Sequence, residues 1–168
     1  KHLGGAVDKT DGCIYGVPAN SRSILCIYPD NGGGNGDYKM KTIALPKSIR
    51  ETRMKWLRGI LANGYLWAIP SGANAVLCVN VDAYWGRREL LPNEDIVTLI
   101  PLPDEYYTEQ LENENKDNGP LPDNNRKKKN GSKKNPRDIK WQWHGAGINN
   151  EKTAIYCIPS NACSVLKV

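Results

Sequence analysis

Two stretches of the sequence, HLGGAVDKTDGCIYGVP at residues 2–18 and WHGAGINNEKTAIYCIP at residues 143–159, align with each other without a gap. A third stretch, WLRGILANGYLWAIP at residues 56–70, aligns with both, and its middle turn is two residues shorter than theirs. Self-similarity over so many columns is the signature of a repeat architecture. The chain is therefore predicted to contain three copies of one structural unit.

The similarity continues beyond the shared proline of each unit. A small polar turn is followed by an apolar, β-rich run: SILCI at residues 23–27, AVLCV at 75–79 and SVLKV at 164–168. The first two units add a further segment, KTIALP at 41–46 and TLIPLP at 98–103. Each unit is thus predicted to fold as four strands in sequence order, except that the third unit stops where its fourth strand is expected.

Turn residues and strand patterning support this prediction. Asp11-Gly12 and Asn63-Gly64 are hairpin dipeptides that tolerate positive φ, and Asn149-Asn150 lies near the corresponding turn of the third unit. In the third strand of the units, apolar residues occupy both faces, as Leu25 and Cys26 illustrate. A strand with two apolar faces is covered on both sides, so small sheets are predicted to stack on neighbouring copies.

The shared pattern, W-x-G-G-x…G-x-I-Y-x-I-P-x-x-A-x-x-V-L-x-V, resembles β-propeller repeats of the kelch-like or quinoprotein-like kind. It is also similar to repeats in uncharacterised proteins of protists and algae. The resemblance covers residues 2–103 and 139–168, and it implies an all-β fold of three propeller-blade-like four-stranded repeats, the third incomplete. Because propellers usually need at least four blades, it also implies a longer array or completion by partners. A β-trefoil or β-prism, which three such units can close, is the alternative.

The positive net charge of +5 comes from one short tract. Residues 126–137 hold seven bases and no acid, and the rest of the chain carries 16 bases against 18 acids. The preceding residues 104–123 hold seven acids and one Lys, so the charges of the two tracts nearly cancel. We interpret residues 104–138 as a polar, charged insert between repeat units one and two (residues 1–103) and a partial third repeat of the same domain (residues 139–168).

No motif of the sequence points to catalysis, and no cofactor or metal site is expected. Only His2 and His144 could serve a Ser-His-Asp or Cys-His mechanism, and no nucleophile signature lies near them. The acidic and Asn-rich loop at residues 30–37 lacks the spacing of an EF-hand and is interpreted as a hairpin connection. The five cysteines form no CxxC pair, which predicts small buried side chains and weakly favours a reducing intracellular or organellar compartment.

Aromatic residues that recur in every unit are interpreted as structural anchors. Two tryptophans outside the repeat columns, Trp85 and Trp141, are better candidates for a surface that contacts a partner. The basic tract is a second candidate, and it contributes Arg126, Lys127, Lys128, Lys129, Lys133 and Lys134. No aromatic residue interleaves that tract, so a nucleic-acid partner is not expected.

The sequence therefore predicts a non-catalytic binding or structural module that is an accessory subunit of a larger protein assembly. Its partners would be other protein subunits, because an incomplete third unit leaves a strand edge that can pair. A carbohydrate-binding module is the first alternative, with sugar bound by the exposed tryptophans. A fragment of a propeller enzyme is the second.

Overall fold

The computed structural model of the chain describes residues 1–30, 37–103, 142–162 and 164–168. The predicted insert, Trp141, Cys163 and all basic residues of the 126–137 tract lie outside the described residues, as does most of the loop at 30–37. Within the described part, β-strands form three separate antiparallel sheets that follow one another along the chain.

The first two sheets each contain four strands, joined in sequence order as a meander. The strands of the first sheet are β1 (Gly5–Val7), β2 (Ile14–Gly16), β3 (Ser23–Pro29) and β4 (Tyr38–Ala44). Those of the second are β5 (Trp56–Ala62), β6 (Tyr65–Pro70), β7 (Ala75–Asn80) and β8 (Val97–Pro101). A single turn of helix, α1 (Val81–Tyr84), lies between β7 and β8 and was not predicted from the sequence.

The third sheet contains three strands in the described residues: β9 (Trp143–Ile148), β10 (Ile155–Pro159) and β11 (Leu166–Lys167). Sheets of four, four and three strands are the all-β arrangement predicted from the repeats, including the shorter third unit. None of the three sheets closes into a barrel. Of the two three-fold alternatives, a β-trefoil needs strands shared in one closed barrel, which the separate sheets do not form; the number of sheets does not decide against a β-prism.

The hairpin turns follow the predicted chemistry in two of the three units. Gly12 has a φ of 76°, and Asn63 and Gly64 have φ values of 51° and 77°, which is the pattern of a tight hairpin turn. In the third unit the residue with positive φ is Lys152 rather than Asn149 or Asn150. Asn149 instead organises the turn through its side chain, whose Oδ1 accepts hydrogen bonds from two later backbone N–H groups.

Two apolar cores lie between the sheets, one between the first and second and one between the second and third. The second sheet therefore contributes to both, and every residue of β7 is buried. We call the face of a sheet that points to the next sheet along the chain its forward face, and the opposite face its backward face. On β7, Leu77 and Val79 belong to the backward face and Val76 to the forward face, so the predicted two-sided burial is confirmed for the middle sheet.

Backbone hydrogen bonds repeat the same link from sheet to sheet. The N–H of Lys55, just before β5, donates to the carbonyl of Ala19 at 3.0 Å, and the N–H of Gln142, just before β9, donates to the carbonyl of Ser71 at 3.1 Å. Ala19 and Ser71 occupy the same repeat position. The Lys55 side chain strengthens the first link by donating to the Ser21 carbonyl at 2.9 Å, and burial lowers the pKa of its ammonium.

The recurring aromatic residue at the start of each unit is a structural anchor. The indole N–H of Trp56 donates to the Ala75 carbonyl at 2.8 Å, and that of Trp143 donates to the Ser164 carbonyl at 3.0 Å. Both indoles are fully buried. In the first unit His2 takes this place, and its Nε2 lies 2.9 Å from the carbonyl of Ser23. The side chain thus ties the first strand of each unit to the start of the third strand.

Four cysteines in the described residues are free and buried: Cys13, Cys26, Cys78 and Cys157. Burial raises the pKa of each thiol, to about 11 for Cys13 and to about 12 for the other three. These thiols therefore behave as the small buried apolar groups that the sequence predicted.

Alkylation provides a direct test of this burial. At pH 8 the four thiols are expected to resist iodoacetamide in the native protein, because they are both inaccessible and protonated. They should all be modified once the chain is unfolded in denaturant. Peptide mapping by mass spectrometry assigns the modification to individual cysteines, and rapid native modification of any of the four would contradict the described packing.

Candidate functional site: two end faces and an inter-sheet cleft

The backward face of the first sheet is apolar and exposed. Val7 pairs with Ile14, Ile14 with Ile27, and Ile27 with Met40, so these four side chains form a row across all four strands. Val7 is 56% exposed and Met40 is 71% exposed, although both are large apolar residues. A row of this kind differs from scattered surface apolar residues because it is continuous over a whole sheet.

The same repeat positions contribute to the cores between sheets in the other two units. Ile27 corresponds to Val79, which is fully buried in the first core, and to Val168, which packs against the second core. Ile14 corresponds to Leu66 and Ile155, which are also buried in those cores. The exposed row of the first sheet is therefore made of residues that elsewhere in this chain form an interface between sheets.

The forward face of the third sheet is exposed in the same way. Tyr156, Ile158 and Val165 are 42%, 60% and 53% exposed. The residues at the same positions of the first sheet, Tyr15, Val17 and Ile24, are fully buried. Lys167 also lies on this face, where the first sheet has Cys26, and its ammonium lies 5.9 Å from the centre of the Tyr156 ring.

A cleft of about 370 Å³ opens between the second and third sheets. Tyr65 and Trp67 form one wall, with their ring centres 5.9 Å apart, and Ile155 and Val168 contribute to the opposite wall. Polar groups of Asn63, Lys152 and Thr153 lie at the same opening. Aromatic rings beside a few polar groups can bind a small amphipathic ligand.

The corresponding region between the first and second sheets is filled by α1 and Trp85. The indole N–H of Trp85 donates to the Tyr15 hydroxyl at 2.8 Å, and its ring meets the rings of Tyr28 and Tyr84 edge-on at 4.9 and 5.1 Å. Lys41 lies 5.4 Å from the ring centre. Trp85, the candidate contact residue that the structure describes, is thus half-buried and packed against the first core, where it fixes α1.

An ionic cluster holds the residues after α1 to the first sheet. The Arg87 guanidinium binds Asp8 at 2.7 Å, Asp82 at 2.9 Å and also Asp11. Burial by itself would raise the pKa of Asp8, but the backbone N–H of Thr10 and the Arg87 guanidinium outweigh it and hold that pKa below its ordinary value. Arg87 joins three carboxylates into a structural link between the first sheet and α1, and the cluster is not arranged as an acid–base pair.

A second polar cluster connects β6, β7 and the loop before β8. The Glu94 carboxylate accepts hydrogen bonds from the Tyr65 hydroxyl at 2.7 Å, the Asn80 side-chain amide at 2.8 Å and the Leu91 N–H at 3.0 Å. It also pairs with the Arg88 guanidinium. The Arg88 hydrogen bond first, and then those from Leu91 and Tyr65, lower the pKa of Glu94 to about 2.

This lowered pKa predicts a pH dependence of stability. The stabilisation from ionised Glu94 is present above its ordinary pKa of 4.5 and is lost as the pH falls towards 2. Glu94→Gln is therefore expected to reduce stability at pH 7 and to make the decline between pH 4.5 and 2 shallower, as urea unfolding at several pH values would measure. Glu51→Gln is the matched control, since Glu51 and its partner Arg22 are largely exposed and should contribute little. Identical profiles for Glu94→Gln and the wild type would contradict the described cluster.

The described residues hold no group of three or more His, Cys, Asp or Glu side chains arranged to bind a metal ion. In the same part of the chain, no helix has the length and apolar character to span a bilayer. Family models, curated proteins and solved structures were compared with the chain, and none of them matches it. The candidate site therefore follows from the geometry alone: the two apolar end faces and the cleft between the second and third sheets.

Proposed function

We propose that the chain is a non-catalytic binding module that acts as a structural subunit of a larger protein assembly. The observation that carries this proposal is the exposure, at both ends of the sheet stack, of residues that are buried at the same repeat positions inside it. When a partner covers such a face, each Å² of apolar surface removed from water contributes about 25 cal/mol of favourable free energy to association. The partner would be another protein with a complementary apolar sheet.

The way in which the three sheets are stacked supports the same proposal. The strands β1 and β5 lie beside each other, and β9 lies beside β5 and β6, so the sheets are aligned along one edge by their first strands. Four-stranded meanders packed face to face in this order are the arrangement of kelch-like propeller blades. In a propeller each blade has a neighbour on both faces, and here the first and third sheets each have one face without such cover among the described residues.

The described cysteine thiols are poorly suited to act as nucleophiles, which favours a non-catalytic role. The four described thiols are buried and have raised pKa values, which disfavours the thiolate that a cysteine nucleophile needs. Free thiols of this kind also persist in a reducing compartment, and we propose an intracellular or organellar location on that ground.

The test of the proposed function is recovery of partners that depends on the end faces. A tagged wild-type chain is expressed in its source organism and compared with Ile27→Asp on the backward face and Ile158→Asp on the forward face. Leu91→Asp is the control, because Leu91 is about as exposed as Ile158 and lies on the loop before β8, outside the strands of the first and third sheets. Subunits that are retained by the wild type and the control but lost from a face variant would support the proposal, and identical recovery from all four chains would overturn it.

Carbohydrate binding is the second candidate, and the inter-sheet cleft favours it. Tyr65 and Trp67 offer apolar ring surface beside the polar groups of Asn63 and Lys152. Screening of a glycan array with the purified chain tests this candidate. Binding that disappears in Trp67→Ala and persists in Trp85→Phe would support it, because Trp85 lies at the other interface. Lack of any bound glycan would overturn it.

A further inference from the structure

The two exposed end faces are the two halves of one kind of interface. At both existing contacts the forward face of one sheet packs on the backward face of the next. The chain exposes a forward face on its third sheet and a backward face on its first. We propose that two copies of the chain associate head to tail, so that each third sheet is covered by the first sheet of the other copy. This inference rests on the proposed function and names its partner as a second copy.

At the interface of the first and second sheets a large residue packs over a glycine, and the end faces carry a matching pair. In the first core Val17 lies so close to Gly59 that a Cβ on Gly59 would be 2.9 Å from its methyl carbon. On the end faces, the bulky, exposed Ile158 occupies the position of Val17, and the exposed Gly5 occupies that of Gly59. A second copy would therefore place Ile158 over Gly5 in the manner that Val17 lies over Gly59.

The charged side chain of Lys167, which lies on this forward face, is compatible with such an interface. Lys41 lies on the forward face of the first sheet, where it pairs in register with Cys26. Its ammonium lies 5.5 Å from the Tyr28 ring centre and 5.4 Å from that of Trp85, at an interface that is already formed. Lys167 has the same relation to Tyr156, so its ammonium can remain at the rim while its methylene groups are covered.

The three sheets of the described residues set the expected number of copies. Two copies would bring six such sheets together, which is within the typical range of about four to eight blades in propellers. Three copies would form nine. In the two-copy ring the two interfaces are identical, and each consists of one forward and one backward face.

This geometry makes a specific prediction for variants of one face. Ile27→Asp alters the backward half of both interfaces, and Ile158→Asp alters the forward half of both, so each variant alone should be monomeric. A mixture of the two variants restores one unaltered interface, between the forward face of the Ile27→Asp chain and the backward face of the Ile158→Asp chain. The mixture should therefore form a dimer, whereas a symmetric contact between two like faces could not give this result.

Light scattering of the purified chain, coupled to size exclusion over a range of concentrations, measures these states. The wild type and the Leu91→Asp control are expected at twice 18.7 kDa, the separate face variants at 18.7 kDa and their mixture at the dimer mass again. Circular dichroism confirms that each variant is folded. A monomeric wild type, a face variant that still dimerises, or a mixture that stays monomeric overturns the head-to-tail dimer. A monomeric wild type that nevertheless retains other subunits through its end faces would leave the proposed function standing.

Discussion

Replacement of Trp56 with alanine is expected to lower the free energy of unfolding by about 3–5 kcal/mol. The indole is fully buried between the first two sheets, and its N–H is the partner of the Ala75 carbonyl. The substitution therefore leaves a cavity and a buried carbonyl without its donor. Urea unfolding followed by circular dichroism measures the effect, and a loss below 1 kcal/mol would show that Trp56 is not an anchor of the unit.

The repeat itself provides the matched control for this prediction. His2 occupies the position of Trp56 in the first unit and contacts the corresponding carbonyl, that of Ser23. It lies on the exposed backward face, so His2→Ala should cost about 1 kcal/mol or less. Trp56→Phe keeps most of the apolar volume and loses the N–H donor, and it is expected to fall between these two variants.

Val79→Asp is expected to destabilise the chain by more than about 4 kcal/mol, which is close to the whole stability of many domains. Val79 is fully buried among the apolar residues of the first core. Burial of an unpaired charge is among the costliest single changes in a protein. Thermal unfolding should therefore show either a large decrease in Tm or no cooperative transition above 25 °C.

The same substitution at the same repeat position of the first sheet is expected to cause only a small loss of stability. Ile27 is half-buried on the backward face, beside the exposed side chains of Val7 and Met40, so water can reach a carboxylate there and Ile27→Asp should cost the monomer about 1 kcal/mol. A similar loss for Ile27→Asp and Val79→Asp would mean that the backward face of the first sheet is covered within one copy of the chain. That result would contradict the exposed row from Val7 to Met40.

Much of the fold could be predicted because local chemistry repeats. Positive-φ dipeptides such as Asn63-Gly64 set the hairpins, and strands with two apolar faces such as β7 required stacked sheets. Alignment of the three units gave the strand order without any knowledge of long-range contacts. The α1 turn was missed because its sequence is not part of the repeat pattern, and four residues give no periodic signal.

The candidate site was less predictable, for a physical reason. Ile27 and Val79 look alike in sequence, and their burial differs because one has a neighbouring sheet and the other has none in the described residues. Trp85 was selected as a surface residue because it lies outside the repeat columns, yet its N–H is bonded to Tyr15. Its role at a partner surface stays a prediction, as do the roles of Trp141 and the basic tract.

The central claim is that the two end faces of the sheet stack bind protein. The native mass of the particle that carries the untagged chain, released gently from its source, tests this claim most directly. We predict a mass well above 18.7 kDa for the wild type and a return to 18.7 kDa when Ile27→Asp and Ile158→Asp are combined in one chain. A wild-type particle of 18.7 kDa, or a large particle whose mass is unchanged by the two substitutions, would contradict it.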